Sequence, residues 1–228
     1  TKRERVEATL KFQKLTVTVV LHSQSGTGLD AVRYALGLEL FSYVDADSPG
    51  LISEFLELST DHEIMVIDAI ADQRLSPCAL TFGDIAFKGT LMHSPDWLLR
   101  EFKPRLARLN AAWHKHGITC LFHSDGDLLR VMQDLIDTGL DGFNPIETAA
   151  GISIASIREH FGQKIFLAGG IDISNHVIWN ARVCKGGVPQ VINDAGKGFL
   201  MGSTTEIDPG SKLENVLAMF EVSRESLG

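Results

Sequence analysis

Short apolar runs alternate along this chain with longer segments whose apolar positions recur at helical spacing. Leu15–Leu21, Ala79–Ala86, Ile118–His123, Leu140–Asn144, Lys164–Ala168 and Gly198–Met201 read as strands. Pro49 to Gln73 predicts a long helix, capped at Asp47 or Ser48 with Pro49 in its first turn. Ser94-Pro95-Asp96 opens another that runs from Trp97 to His116, stops at Gly117 and kinks at Pro104. Gly139 and Gly162 end helices starting at Leu128 and Ile152, and Ser211–Glu214 spells a capping box for the last one. Strands and helices in alternation, joined by linkers too short for a domain boundary, predict a parallel sheet of βα units in one α/β domain over residues 1–228.

Polar motifs follow the strands directly: His123-Ser124-Asp125-Gly126, Asn144-Pro145-Ile146-Glu147, Gly169-Gly170-Ile171-Asp172 and Gly202-Ser203-Thr204. An open doubly wound sheet concentrates such groups at one switch point, whereas a barrel collects every strand end around one mouth. Motifs on so many strands favour a (β/α)₈ TIM barrel, of which the six recognisable strands are about two short at the N-terminal side.

Composition narrows the partners. With 21 Lys and Arg against 29 Asp and Glu, the net charge of −8 argues against a nucleic-acid backbone or an anionic membrane as partner. Three cysteines, Cys78, Cys120 and Cys184, are too few for a disulfide framework, and no apolar run approaches the roughly 18 residues of a membrane span. Thr1–Phe12 is charged and amphipathic rather than a cleavable signal, so a cytoplasmic location is expected.

The chemistry centres on His123. Alternation puts Thr119, Leu121 and His123 on one face of their strand and Ile118, Cys120 and Phe122 on the other, so Cys120 is a poor co-ligand. His123 and Asp125 at a strand end suit an acid–base pair or a shared metal; equally, the aspartate could cap the following helix. Glu147, leaving a strand behind Pro145, could ligate a cation, act as a base or orient His123, and Asp84 beside Gly83 is a further candidate. Lys88 is the only base near these loops. Gly26-Thr27-Gly28 resembles a dinucleotide fingerprint but lacks a second strand behind it, so the glycines serve the turn. Gly169-Gly170 and Gly202-Ser203 suggest a phosphate or flavin mononucleotide cradle, against which Asp172 and Glu206 weigh electrostatically. His114 and His116 are expected in solvent, and Trp97, Trp113 and Trp179 as packing residues.

The run Ala79-Leu80-Thr81-Phe82-Gly83-Asp84, then Ser94-Pro95 with Pro104, the motifs at His123, Asn144 and Gly169, and Glu214-Asn215 together resemble the uroporphyrinogen decarboxylase superfamily, which includes cobalamin-dependent methyltransferases. The resemblance covers the chain from about Leu15 and implies a TIM barrel with its site at the C-terminal mouth. It implies His123, Asp125 and Glu147 as catalytic residues, with Asp84, Asn144, Asp172 and Ser203 lining the substrate; a zinc ion held by His123 with Asp125 and Glu147 is a hypothesis their donor types allow, not a site carried over from the family.

The chain also departs from that pattern. Zinc methyltransferases of the superfamily carry His-x-Cys where this chain has His123-Ser124-Asp125, and a late cysteine where it has Ser203. The decarboxylases' N-terminal arginine motif is absent, and carboxylates ring the mouth, which disfavours a polyacid. Lys14 runs straight into Leu15, where the family has further chain, so a segment is expected to be missing between them. The resemblance implies a metal-assisted, O-demethylase-like methyltransferase passing a methyl group from a small molecule to a corrinoid on a partner protein. The alternatives are a metal-free decarboxylase of a porphyrinogen-like or aromatic acid, and a non-catalytic barrel that binds a ligand or a corrinoid protein. A homodimer is the expected self-assembly.

Overall fold

The computed structural model describes residues 23–172, 181–204 and 212–225. The expected strand Leu15–Leu21 and the Lys14–Leu15 junction lie outside them. The first described strand, β1, is Ser23–Gly26, part of the stretch whose glycines suggested only a turn. Three helices follow, α1 (Leu29–Leu36), α2 (Leu38–Asp47) and α3 (Pro49–Ile70), so no second strand of a dinucleotide motif exists there. Gly28 caps α1 at φ +78°, and a Cβ on it would fall 2.6 Å from the Cβ of Ser59 on α3. Glycine is therefore needed both for the turn and for the close seat of α3 against β1.

Strand β2 (Cys78–Phe82) ends before Gly83, earlier than expected, and the chain then makes a hairpin of β3 (Ala86–Phe87) and β4 (Thr90–Leu91). Ser94 caps the short helix α4 (Pro95–Trp97), its Oγ accepting the Trp97 N–H at 3.2 Å. A π-helical turn over Leu98–Phe102 leads into α5 (Lys103–Lys115). Pro104 thus sits in the first turn of α5, where its missing N–H costs no bond, and a widened turn replaces the expected kink. After β5 (Thr119–His123) comes only a short helix, α6 (Met132–Ile136), where one from Leu128 was expected. Strand β6 is Gly142–Ile146, followed by a 3₁₀ turn at Thr148–Ala150 and α7 (Ile154–Phe161), which a reciprocal Ser153–Ser156 capping box opens. Strand β7 (Phe166–Ile171), α8 (Ala181–Ala195), β8 (Phe199–Ser203) and α9 (Leu213–Glu225) complete the described chain, with Ser211 of the expected capping box outside it.

Six strands form one sheet in the order β1-β2-β5-β6-β7-β8, every pair parallel. The order follows the chain without reversal, so there is no switch point of the doubly wound kind. Among the described residues β1 and β8 each pair on one side only, and no closed barrel is formed.

Strand alternation divides the apolar interior in two. Ala79, Cys120, Phe122, Phe143, Leu167, Phe199 and Met201 face the helices and share one buried cluster with helix residues such as Leu106, Leu109 and Trp113 of α5 and Ile157 of α7. Cys78, Leu121, Phe166, Ala168 and Leu200 form a smaller cluster on the opposite face, joined by Leu80. Both faces are buried, as a parallel sheet requires. At the N-terminal end of β7 and β8 the buried guanidinium of Arg158 donates to the carbonyls of Gly162, Ile165, Ala195, Lys197 and Gly198 at 2.7–3.3 Å. Its burial lowers its pKa to about 10. Among the described residues no helix is long and apolar enough to cross a membrane.

Candidate functional site

Parallel register sets Phe82, His123 and Asn144 side by side where β2, β5 and β6 approach their C-terminal ends. His123 shares the Leu121 face of β5, away from the helices, as the alternation predicts. Its Nδ1 lies 2.7 Å from the Asn144 Oδ1. A carbonyl oxygen accepts only, so Nδ1 carries the hydrogen and Nε2 is the nitrogen left for chemistry. Phe82 covers the ring at a centroid distance of 4.5 Å.

Around this pair the carboxylates have structural duties. The Asp84 Oδ1 accepts the Asp125 N–H at 3.1 Å, tying the loop after β2 to the loop after β5. The Asp84 N–H donates to the Asp30 Oδ2 at 3.2 Å, and its carbonyl accepts from the Arg33 Nη2 at 2.5 Å. Glu147 accepts the Gly126 N–H at 2.9 Å through Oε2, while its Oε1 stands 3.7 Å from the Lys88 Nζ. Gly126 can be no other residue: its φ is +88°, and a Cβ would lie 2.7 Å from the Phe87 carbonyl oxygen. Glu147 therefore braces the loop after β5 against the β3–β4 hairpin.

Arg33, buried on α1 and ion-paired with Asp30, corrects the expectation that Lys88 is the only base near these loops. Its sequence signal was the Asp30-to-Arg33 spacing of one helical turn. A cleft of about 490 Å³ opens beside it, lined among others by Tyr34, Leu38, Asp84, Phe87 and Asp125. Asp172 is buried just after β7 and Ser203 ends β8, at the same edge of the sheet; residues 173–180 and 205–211, with Glu206, lie outside the described residues. Gly169 and Gly170 lie inside β7 rather than after it, and a Cβ on Gly170 would meet the Ile154 Cδ1 at 2.4 Å. Gly170 thus serves the close packing of α7 on the sheet, and Gly169 the close approach of β6, where a Cβ would lie 3.0 Å from the Ile146 nitrogen.

The three residues expected to hold a metal do not converge. Among the described residues only His114, Cys120 and Asp141 bring three such ligand atoms within 4.8 Å of one another, at the opposite, N-terminal end of β5 and β6. There the Asp141 Oδ2 already takes the His114 Nε2 and the Cys120 N–H, each at 2.7 Å. Burial pushes the Cys120 thiol well above its ordinary range, so sulfur stays protonated and the trio acts as a hydrogen-bonded brace. His116 likewise holds Asp68 at 2.7 Å and is half-buried, while His114 is exposed as expected even with its Nε2 on Asp141.

A parallel α/β sheet wound in chain order, with its polar groups at one end, is the class of fold these observations define. No protein-family model and no curated protein matches the chain. Among solved structures it is similar to a methyltransferase from Methanosarcina mazei, with a TM-score of 0.71 and 19% identity, over 97% of this chain and 63% of that one. The two share a fold, and this chain spans 63% of the length of its neighbour.

Proposed function

We propose that the protein is a methyltransferase of the TIM-barrel type, working where β2, β5 and β6 end, on a small methylated molecule. The observation that carries this reading is His123, its Nδ1 held by Asn144 at 2.7 Å, on a fold shared with a methyltransferase. Six parallel strands in chain order support the barrel, whose closure needs strands beyond them. The resemblance to the uroporphyrinogen decarboxylase superfamily supports a corrinoid on a partner protein as methyl acceptor, supplying the nucleophile that takes the methyl group.

When a methyl group leaves an oxygen or nitrogen, the heteroatom keeps the bonding pair and needs a proton. His123 in its imidazolium form delivers that proton from Nε2, and Asn144 keeps accepting from Nδ1–H before and after the transfer. Asp84 and Asp125, linked through the Asp125 N–H, shape the neighbouring wall. His123, Asp125 and Glu147 do not fit a three-ligand metal centre, and no step is routed through a metal. A polyacid is a poor substrate here, because Arg33 and Lys88 already face Asp30 and Glu147.

The test is methylation of reduced free cobalamin, followed by its absorbance, with a panel of methoxylated aromatics and methylated amines. Methyl transfer lost in His123→Ala supports the proposal. Release of CO₂ from an aromatic acid or porphyrinogen, without methyl transfer, would assign a lyase, and full activity in His123→Ala would remove His123 from the mechanism.

A further inference from the structure

Helix α3 is amphipathic twice over. Its inward stripe, Ile52, Leu56, Thr60 and Ile67, is buried. Its outward face carries a second stripe: Leu51 is 59% exposed, Phe55 39%, Leu58 63% and Met65 70%, with His62 and Ala69 exposed between and after them. The steps along Leu51, Phe55, Leu58, His62, Met65 and Ala69 alternate four, three, four, three, four, the spacing of a coiled-coil seam kept through nearly the whole helix. Scattered exposed apolar residues need no explanation, but a seam of this period, interrupted only by His62, is an interface pattern.

We infer that this seam is where a second copy of the chain docks, the two α3 helices crossing antiparallel about a two-fold axis level with Thr60. In that register Leu51 faces Ala69, Phe55 faces Met65 and Leu58 faces His62, each in both directions, so the stripe is complementary to itself as a two-fold interface demands. Large side chains meet small or slender ones, which lets the helices close up. Charge agrees with this occupant. The flank of the seam is acidic, yet Glu57 pairs with Arg105 at 3.1 Å and with Arg108, Asp61 pairs with Arg108, and Asp68 with Lys115 at 2.9 Å. Glu57, Asp61 and Asp68 thus enter the interface as neutralised pairs rather than as like charges, and Glu54, with no ion pair among the described residues, falls opposite Val66 in this register. Helix α2, which packs on α3, adds exposed Leu40 and Tyr43.

Sedimentation equilibrium of the full chain gives a concentration-dependent dimer, and Leu58→Glu, at an exposed position that leaves the fold intact, weakens it at least about 100-fold. Register is read from Phe55→Cys/Met65→Cys in a Cys184→Ser background. Ten residues along one helix hold the two thiols about 15 Å apart, too far for a bond within a copy, so oxidation joins two copies. A wild-type chain monomeric at about 100 μM, or a dimer that survives Leu58→Glu, overturns the inference and gives the seam to another protein or to further chain. Cross-linking of Phe55→Cys alone, without the second cysteine, overturns the antiparallel register.

Discussion

The indole N–H of Trp113 donates to the Ser25 Oγ, 3.1 Å away, and that oxygen lies 3.1 Å from the Thr81 Oγ1. This buried chain fixes α5 beneath β1 and β2, between three side chains that are at most 5% exposed. Ser25→Ala leaves an indole N–H and a threonine hydroxyl without this partner, so we expect a loss of about 1–3 kcal/mol in urea unfolding. Adding Trp113→Phe and Thr81→Val to it costs less than the sum of the single changes, because the donor and acceptor are then gone as well.

Asn144 acts through His123. Asn144→Ala frees the ring to turn and is expected to lower kcat about 10–100-fold with KM little changed, while Asn144→Gln recovers little of it. A rise in KM with kcat little changed would make Asn144 a substrate contact instead.

His93 stacks on Trp97 at 4.1 Å and meets Phe41 edge-on at 5.6 Å; its Nε2 is buried without a hydrogen-bond partner among the described residues. Burial, helped by the Arg33 charge and opposed by Asp45, lowers its pKa to about 4. In the unfolded chain a histidine titrates near its ordinary value of about 6.5, so between these values the unfolded state binds the extra proton. Stability from this group is complete above about pH 6.5 and declines as pH falls toward 4. Melting at pH 7 and pH 4.5 is expected to show a larger acid loss in the wild type than in His93→Phe, which keeps the stack without the titrating nitrogen.

Cys78 and Cys120 are both fully buried, and burial pushes the Cys78 thiol up to about 12. In Cys184→Ser neither is expected to react with an aromatic disulfide reagent at pH 8 until the protein unfolds. Labelling then follows the unfolding rate and does not depend on reagent concentration. Fast labelling of the folded chain would contradict the placement of both thiols.

Much of the scaffold was legible because it repeats. The division of Leu121 from Cys120 and Phe122, and with it the face of His123, follows from a period of two. Strand β1 was not legible: Ser23-Gln24-Ser25-Gly26 has no apolar pattern, and its place in the sheet rests on hydroxyls paired with residues more than fifty positions away. The β3–β4 hairpin is too short to show a period. At the site, His123, Asn144 and Asp84 stood out as polar strand ends. The bracing by Glu147 did not, because it depends on where a loop folds back to present the Gly126 N–H. Arg33 reaches the Asp84 carbonyl across 51 positions, which no local spacing announces.

The Arg158 clamp has a consequence for how the molecule moves. A guanidinium spread over five carbonyls stitches the starts of β7 and β8 to the ends of two helices without any counter-ion, so salt does not loosen it. Lysine, with three donors on one nitrogen, is no substitute. The stitched end has nothing to gain from a ligand. The far end of the same strands carries Asp172 and Ser203, on the side where the polar strand ends gather. Amide exchange along β7 and β8 should therefore be graded, slowest beside Arg158 and fastest at the mouth, and a substrate would flatten that gradient from one side only.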